Sequence, residues 1–252
     1  MVCGHLWGEK LNCSIIKMLA KAKIVFLMTF VLFFYLGVIL TVGCSSVYYN
    51  RLSKRKLEKT MMLAVKGDGE AALLVERHFS IGYNDSNDAT IWDTIGAEND
   101  YPESQYGLAY TLLDYSHDPE SKLRGIFWLY KMVVIGYRDA EEWLEKKGYT
   151  LDTAQPPDDS LFPYEYTQLS ETELEDCKTG ALRGNKKTAL ILGKYYEEIE
   201  INNELSEYWY RIGAQNGNPE CQYILGQIMS DRDDQLDQVR GKFWLDRAVS
   251  RN

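Results

Sequence analysis

The chain has 252 residues, with 37 Asp and Glu against 28 Lys and Arg, only three His, and 18 Tyr and six Trp. A net charge of −9 argues against a nucleic-acid binder, which needs a basic patch to meet phosphates. A content of 45% hydrophobic and 13% aromatic residues excludes a disordered chain. The charge is also unevenly spread. The first 43 residues hold four Lys and one Glu, so the remaining 209 carry 24 basic and 36 acidic groups, a net −12.

Ile24 to Val42 is a run of nineteen uncharged residues preceded by Lys21 and Lys23. A basic region followed by an apolar stretch has the form of a secretory signal, and its length also suits a membrane-spanning helix. Its end favours the signal: Gly43-Cys44-Ser45-Ser46 resembles the lipobox of bacterial lipoproteins, with Thr41 where Leu is usual. That resemblance implies that residues 1–43 are removed, the true start being Met18 in one alternative, and that Cys44 becomes the lipidated first residue. Residues 44–51 would then be a tether. Ser45 after the Cys resembles lipoproteins sorted to the outer membrane, with the domain facing the periplasm. In that oxidising compartment Cys177 and Cys221 can pair as a disulfide, or each can remain a buried thiol.

Beyond the leader an internal repeat dominates. Trp92 to Leu108 (WDTIGAENDYPESQYGL) aligns with Trp209 to Leu225 (WYRIGAQNGNPECQYIL) with ten of seventeen identities at an offset of 117. After a one-residue deletion, Arg124-Gly-Ile-Phe-Trp-Leu aligns with Arg240-Gly-Lys-Phe-Trp-Leu. Within each half the Trp residues recur after 36 and 35 residues, the period of stacked helical hairpins. Small residues at a spacing of five (Ser104 and Ala109, Thr188 and Gly193, Cys221 and Gly226) predict close helix approach. The expectation is an all-α, right-handed solenoid built as a tandem duplication.

In chain order the sequence predicts helices at about 52–66, 69–80, 88–98, 102–115, 120–135 and 139–147. After a break they resume at 171–182, 186–199, 205–215, 219–229 and 236–250. Pro102 and Pro219 suit first helical turns, and Gly148, Gly184 and Gly217 suit left-handed caps. The first repeat set is 52–149 and the second 171–252. Between them, 150–170 lacks periodicity, is stiffened by prolines, and reads as a functional loop or a linker. Its apolar and acidic residues, Leu161, Phe162, Tyr164, Tyr166, Asp158, Asp159 and Glu165, with Tyr149 just before, are the candidate partner-binding residues.

The motifs Tyr106-Gly-Leu-Ala-Tyr, Ile191-Leu-Gly-Lys-Tyr-Tyr and Ile212-Gly-Ala-Gln-Asn-Gly resemble Sel1-like repeats, relatives of tetratricopeptide repeats. The resemblance covers about 67–249 and departs in the loops between paired helices. Tyr106, Tyr223 and the four repeated Trp residues are expected in the core.

No G-x-S-x-G, H-E-x-x-H or glycine-rich phosphate loop is present, so no catalytic residue, metal or cofactor is assigned. His78 reads as a core or rim residue, and the run Asp231, Asp233, Asp234, Asp237 as solvated charge rather than a calcium loop. The expected function is therefore binding, with a basic or mixed-charge protein as partner. The resemblance extends to repeat-bearing lipoproteins that act as immunity proteins against type VI secretion phospholipase effectors, which implies a secreted lipase as partner and a membrane tether through lipid. The alternative is an envelope adaptor gathering assembly or signalling proteins. Substituting Cys44→Ala is expected to abolish incorporation of labelled fatty acid; unchanged labelling would refute the lipid anchor.

Overall fold

The computed structural model describes residues 51–250, and the apolar leader, Cys44 and most of the tether lie outside them. The chain from Leu52 onward forms one compact unit. It is all-helical, and consecutive helices pack on one another.

Five helices of the first half run Lys54–Val65 (α1), Gly69–Tyr83 (α2), Ser86–Glu98 (α3), Pro102–Tyr110 (α4) and Pro119–Val134 (α5). Then come Arg138–Lys146 (α6) and a single turn, Leu151–Ala154 (α7). The second half runs Glu171–Leu182 (α8), Lys186–Lys194 (α9), Asn203–Gln215 (α10), Pro219–Ser230 (α11) and Gln235–Ser250 (α12). Helices α4 and α9 both widen into a π turn nine residues from their start, at Thr111–Tyr115 and Tyr195–Ile199.

Local chemistry accounts for the boundaries. Side chains of Asp68, Asp85, Asp118, Asn185, Asn202 and Asn218 accept the orphan amides of the helices they precede. Ser170 and Glu173 form a reciprocal capping box on α8. The anticipated caps Gly148, Gly184 and Gly217 take φ of 85°, 100° and 89°. Asp100, at the offset position of Gly217, adopts φ 58° without being glycine. It is held there by ion pairs with Lys131, at 3.2 Å, and Arg247.

The small residues do what their spacing predicts. Ser104, Ala109, Thr188 and Cys221 are fully buried. A Cβ on Gly193 would lie 2.4 Å from the Tyr210 ring, and one on Gly96 would lie 2.2 Å from Ser104 Oγ. Gly226 and Gly241 put α11 and α12 in backbone contact, with each one's added Cβ under 3.0 Å from the other's carbonyl. Trp92, Trp128, Trp209 and Trp244 are buried as expected. Tyr106 and Tyr223 are not: they are 38% and 49% exposed, on the outer side of α4 and α11.

Two further contacts reach across the sequence. Helix α5 packs on α8, with Leu123 against the cluster of Cys177, Leu182 and Trp209. Helix α12 packs on α1, with Leu236 and Val239 against the cluster of Ala64, Val75 and Trp92. The last described helix therefore covers the first.

Substituting Gly241→Ala is expected to cost about 1–3 kcal/mol, because backbone stands in the way on one side and the Ser230 side chain on the other. Denaturant unfolding of the wild type and the variant measures the difference, and an unchanged midpoint would contradict it.

Candidate functional site

The centre of the unit is polar. Near the middle of the apolar face of α5 stands Arg124, and near that of α12 stands Arg240, 5% and 2% exposed. Arg124 donates to the Leu182 carbonyl at 3.3 Å, Asn216 Oδ1 at 2.9 Å and Gln215 Oε1 at 2.8 Å. Arg240 donates to the Val65 carbonyl at 3.5 Å, Asn99 Oδ1 at 2.6 Å and Glu98 Oε2 at 2.8 Å. Leu182, Gln215 and Asn216 lie 117 positions after Val65, Glu98 and Asn99. Each half thus sends one arginine into the same three positions of the other half.

Aromatic rings support both guanidinium groups. Arg124 lies 4.1 Å from the Phe127 ring centroid and Arg240 lies 3.9 Å from that of Phe243, within cation–π range. The asparagines complete the frame: Asn99 Nδ2 donates to the Ala64 carbonyl at 2.9 Å, and Asn216 Nδ2 to the Ala181 carbonyl at 2.8 Å. The two frames meet where Gln215 Nε2 donates to Glu98 Oε1 at 2.8 Å.

The pair differs in charge. Glu98 is fully buried against Arg240, and Arg211 stands 3.8 Å from its other oxygen. Burial alone would raise the Glu98 carboxyl, but Arg240 and Arg211 outweigh it and hold the group below the usual carboxylate range. Arg124 has only neutral acceptors and makes no ion pair among the described residues. Burial pushes its guanidinium down to about 9, which leaves it charged at neutral pH.

Two clefts open on this centre, and Thr94 and Arg211 line both. The first, about 420 Å³, is bordered by Ile91, Trp92, Glu98, Leu236, Asp237 and Arg240. The second, about 300 Å³, is bordered by Ser121, Arg124, Trp128, Tyr208, Ile212 and Gln215. Arg211 also pairs with Glu207 at 3.3 Å, and Glu207 in turn with Arg232.

The segment expected to bind a partner is built into the fold instead of standing free of it. Phe162 is buried, its ring in the space that a side chain on Gly180 would need. It is thus a packing residue, a correction to its expected place on a binding surface. Tyr149 packs on the cluster around Trp128 and Leu144. Tyr164 and Tyr166 pack on that around Leu182 and Trp209, with hydroxyls donating to Asp176 at 3.2 Å and Glu198 at 3.0 Å. Asp158 caps the turn at Ser160, and Asp159 accepts from Asn185 Nδ2 at 2.8 Å. Only Leu161, 63% exposed, and Glu165 stand open to solvent without such a contact.

Cys177 and Cys221 are free thiols buried in different clusters, which corrects the disulfide alternative. Burial pushes the Cys177 thiol up to about 12 and raises Cys221 as well, so neither is reactive. Asp234 caps α12 and Asp237 pairs with Arg232 at 3.2 Å, so these members of the acidic run are engaged in local structure. His78 is buried, with Nδ1 accepting from the Leu52 amide at 2.9 Å.

The arginines were the missed residues. A cation repeated at one position of an apolar helix face, in Arg-Gly-x-Phe-Trp-Leu, is the signal that could have found them.

Because the folded carboxyl of Glu98 lies below its unfolded value, its contribution is fully present above about pH 4.5 and is lost as pH falls through the folded value. Glu98→Gln should cost about 3–5 kcal/mol at neutral pH by leaving Arg240 buried without its anion. The penalty should shrink in acid, as measured by denaturation at both pH values. A penalty independent of pH would refute the assignment. Comparison with protein-family models, with curated proteins and with solved structures finds no match to this chain.

Proposed function

We propose that the chain is a non-enzymatic binding protein, lipid-anchored through Cys44 in the bacterial envelope and facing the periplasm from the outer membrane. Its architecture would be a right-handed α-solenoid of Sel1-like hairpins, duplicated in tandem and closed on itself where α12 covers α1. The observation that carries this proposal is the pair of clefts on either side of Thr94 and Arg211. They are lined from several helices and anchored on a buried hydrogen-bonded frame, which is how a rigid recognition surface is supported. A rigid, concave surface suits a protein that acts by covering another.

The most specific form of the proposal is an immunity protein that neutralises a phospholipase toxin delivered by a type VI secretion system. Inhibition of that kind needs no chemistry from the inhibitor, and a lipid tether would hold it at the membrane where a lipase works. The net −12 outside the leader favours a basic or mixed-charge toxin.

Directing the product of the adjacent reading frame to the periplasm, with and without this protein, tests the role. Rescue of growth is expected, and equal killing in both strains would sink it. A double variant, Ile91→Asp with Tyr208→Asp, places charge in both clefts and is expected to abolish rescue while leaving helical content unchanged by circular dichroism.

A further inference from the structure

The two clefts are lined at corresponding positions, and their charges do not match. In the first, Arg240 faces Glu98, and Asp237 lies on the same wall. At the repeat offset these two acids become Gln215 and Ser121, yet the arginine persists as Arg124. The one acid in contact with Arg240 is thus matched by a neutral amide at Arg124, a guanidinium that is 5% exposed. Burying a cation without an anion is costly, and neutral carbonyl and amide oxygens offset only part of that cost. Arg211, on the same wall, adds a second positive group, already shared between Glu98 and Glu207. The phenol of Tyr208 lies close enough to Arg124 to interact with its charge.

Glu98 acts on Arg124 only from a distance, through Gln215, and is already paired with Arg240; the acids that line this cleft stand on its rim. Asp118 and Glu120 are exposed. The Asp118 carboxylate is occupied by the Glu120 and Ser121 amides and by Ser121 Oγ, at 3.3, 2.9 and 2.9 Å. A volume of about 300 Å³ admits a small acid or one acidic side chain, and the apolar walls of Trp128 and Ile212 would strengthen a charge-assisted hydrogen bond there.

We propose that the cleft at Arg124, Arg211 and Tyr208 is a binding site for a single carboxylate, which supplies in trans the charge that Glu98 supplies to Arg240. The site stands on its own geometry and does not require the immunity role. The carboxylate has two sources, a free small organic acid or an acidic side chain on a docked protein, and the recognition chemistry is the same.

The test is isothermal titration of the full chain in detergent micelles with two probes, glutarate and the blocked peptide acetyl-Ala-Glu-Ala-amide, and with glutaramide as the uncharged control. Saturable binding of glutarate or the peptide, and none of glutaramide, is expected. Tighter binding of glutarate would identify a free acid as the natural ligand, and tighter binding of the peptide an acidic side chain. Arg124→Gln should weaken the preferred probe at least about tenfold. Tyr208→Phe, at a half-exposed position where folding is not at stake, should weaken it a few-fold, while Lys122→Gln on the exposed side of α5 should not. Absence of binding by both acids, equal binding of glutaramide, or loss in Lys122→Gln equal to that in Tyr208→Phe would overturn the site.

Discussion

A guanidinium taken out of water needs an opposing charge, and the Arg240–Glu98 pair, with both groups buried, is where this protein supplies one by direct contact. Glu98 closes α3, Arg240 comes from α12, and Asn99 and the Val65 carbonyl take the donors of its other terminal nitrogen, while Nε is buried without an acceptor. The pair and its frame therefore tie the last described helix to α1 and α3, with the ion pair spanning 142 residues of chain. Packing of Leu236 and Val239 on the α1–α3 cluster supplies the apolar burial, but apolar contact tolerates sliding. The ion pair and its amide frame do not, so they set the register in which α12 docks.

The same frame appears at α5 and α8 with a neutral acceptor in place of the acid, and the two frames touch through Gln215 and Glu98. One carboxylate thus serves a centre that contains Arg240, Arg211 and Arg124. In a protein whose overall charge is strongly negative, this is a positive interior. Charge at the surface and charge at the clefts are therefore separate properties.

The helices were legible because their ends are written locally. Pro at a first turn, Asp or Asn before it and Gly just beyond the last turn are short-range signals, and α8, from Glu171 to Leu182, coincides with the expected helix. Close packing was legible from Ser104, Thr188 and Gly226 for the same reason, since the need for small side chains recurs on α4, α9 and α11. The clefts were not legible, because the partners of Arg124 and Arg240 lie 58 to 175 residues away. Recurrence also misled: Tyr106 and Tyr223 repeat as faithfully as the tryptophans, yet they border the outside of their helices. Identity at a fixed offset reports a shared environment and does not say whether that environment is wet or dry. The segment 150–170 failed in the opposite sense. Without periodicity it read as a loop for binding a partner, whereas Phe162 and Asn185 fasten it to α8 and α9.

An open stack of hairpins can fray from either end, because each terminal hairpin has one uncovered side. Here α1 and α12 cover each other. Loss of either strips the other of its apolar cover, and loss of α12 also leaves Glu98 without the arginine it is buried against. Partial unravelling thus has no inexpensive first step, and the described unit is bound to melt cooperatively, as a hoop does when cut and not as a ladder does when it loses a rung.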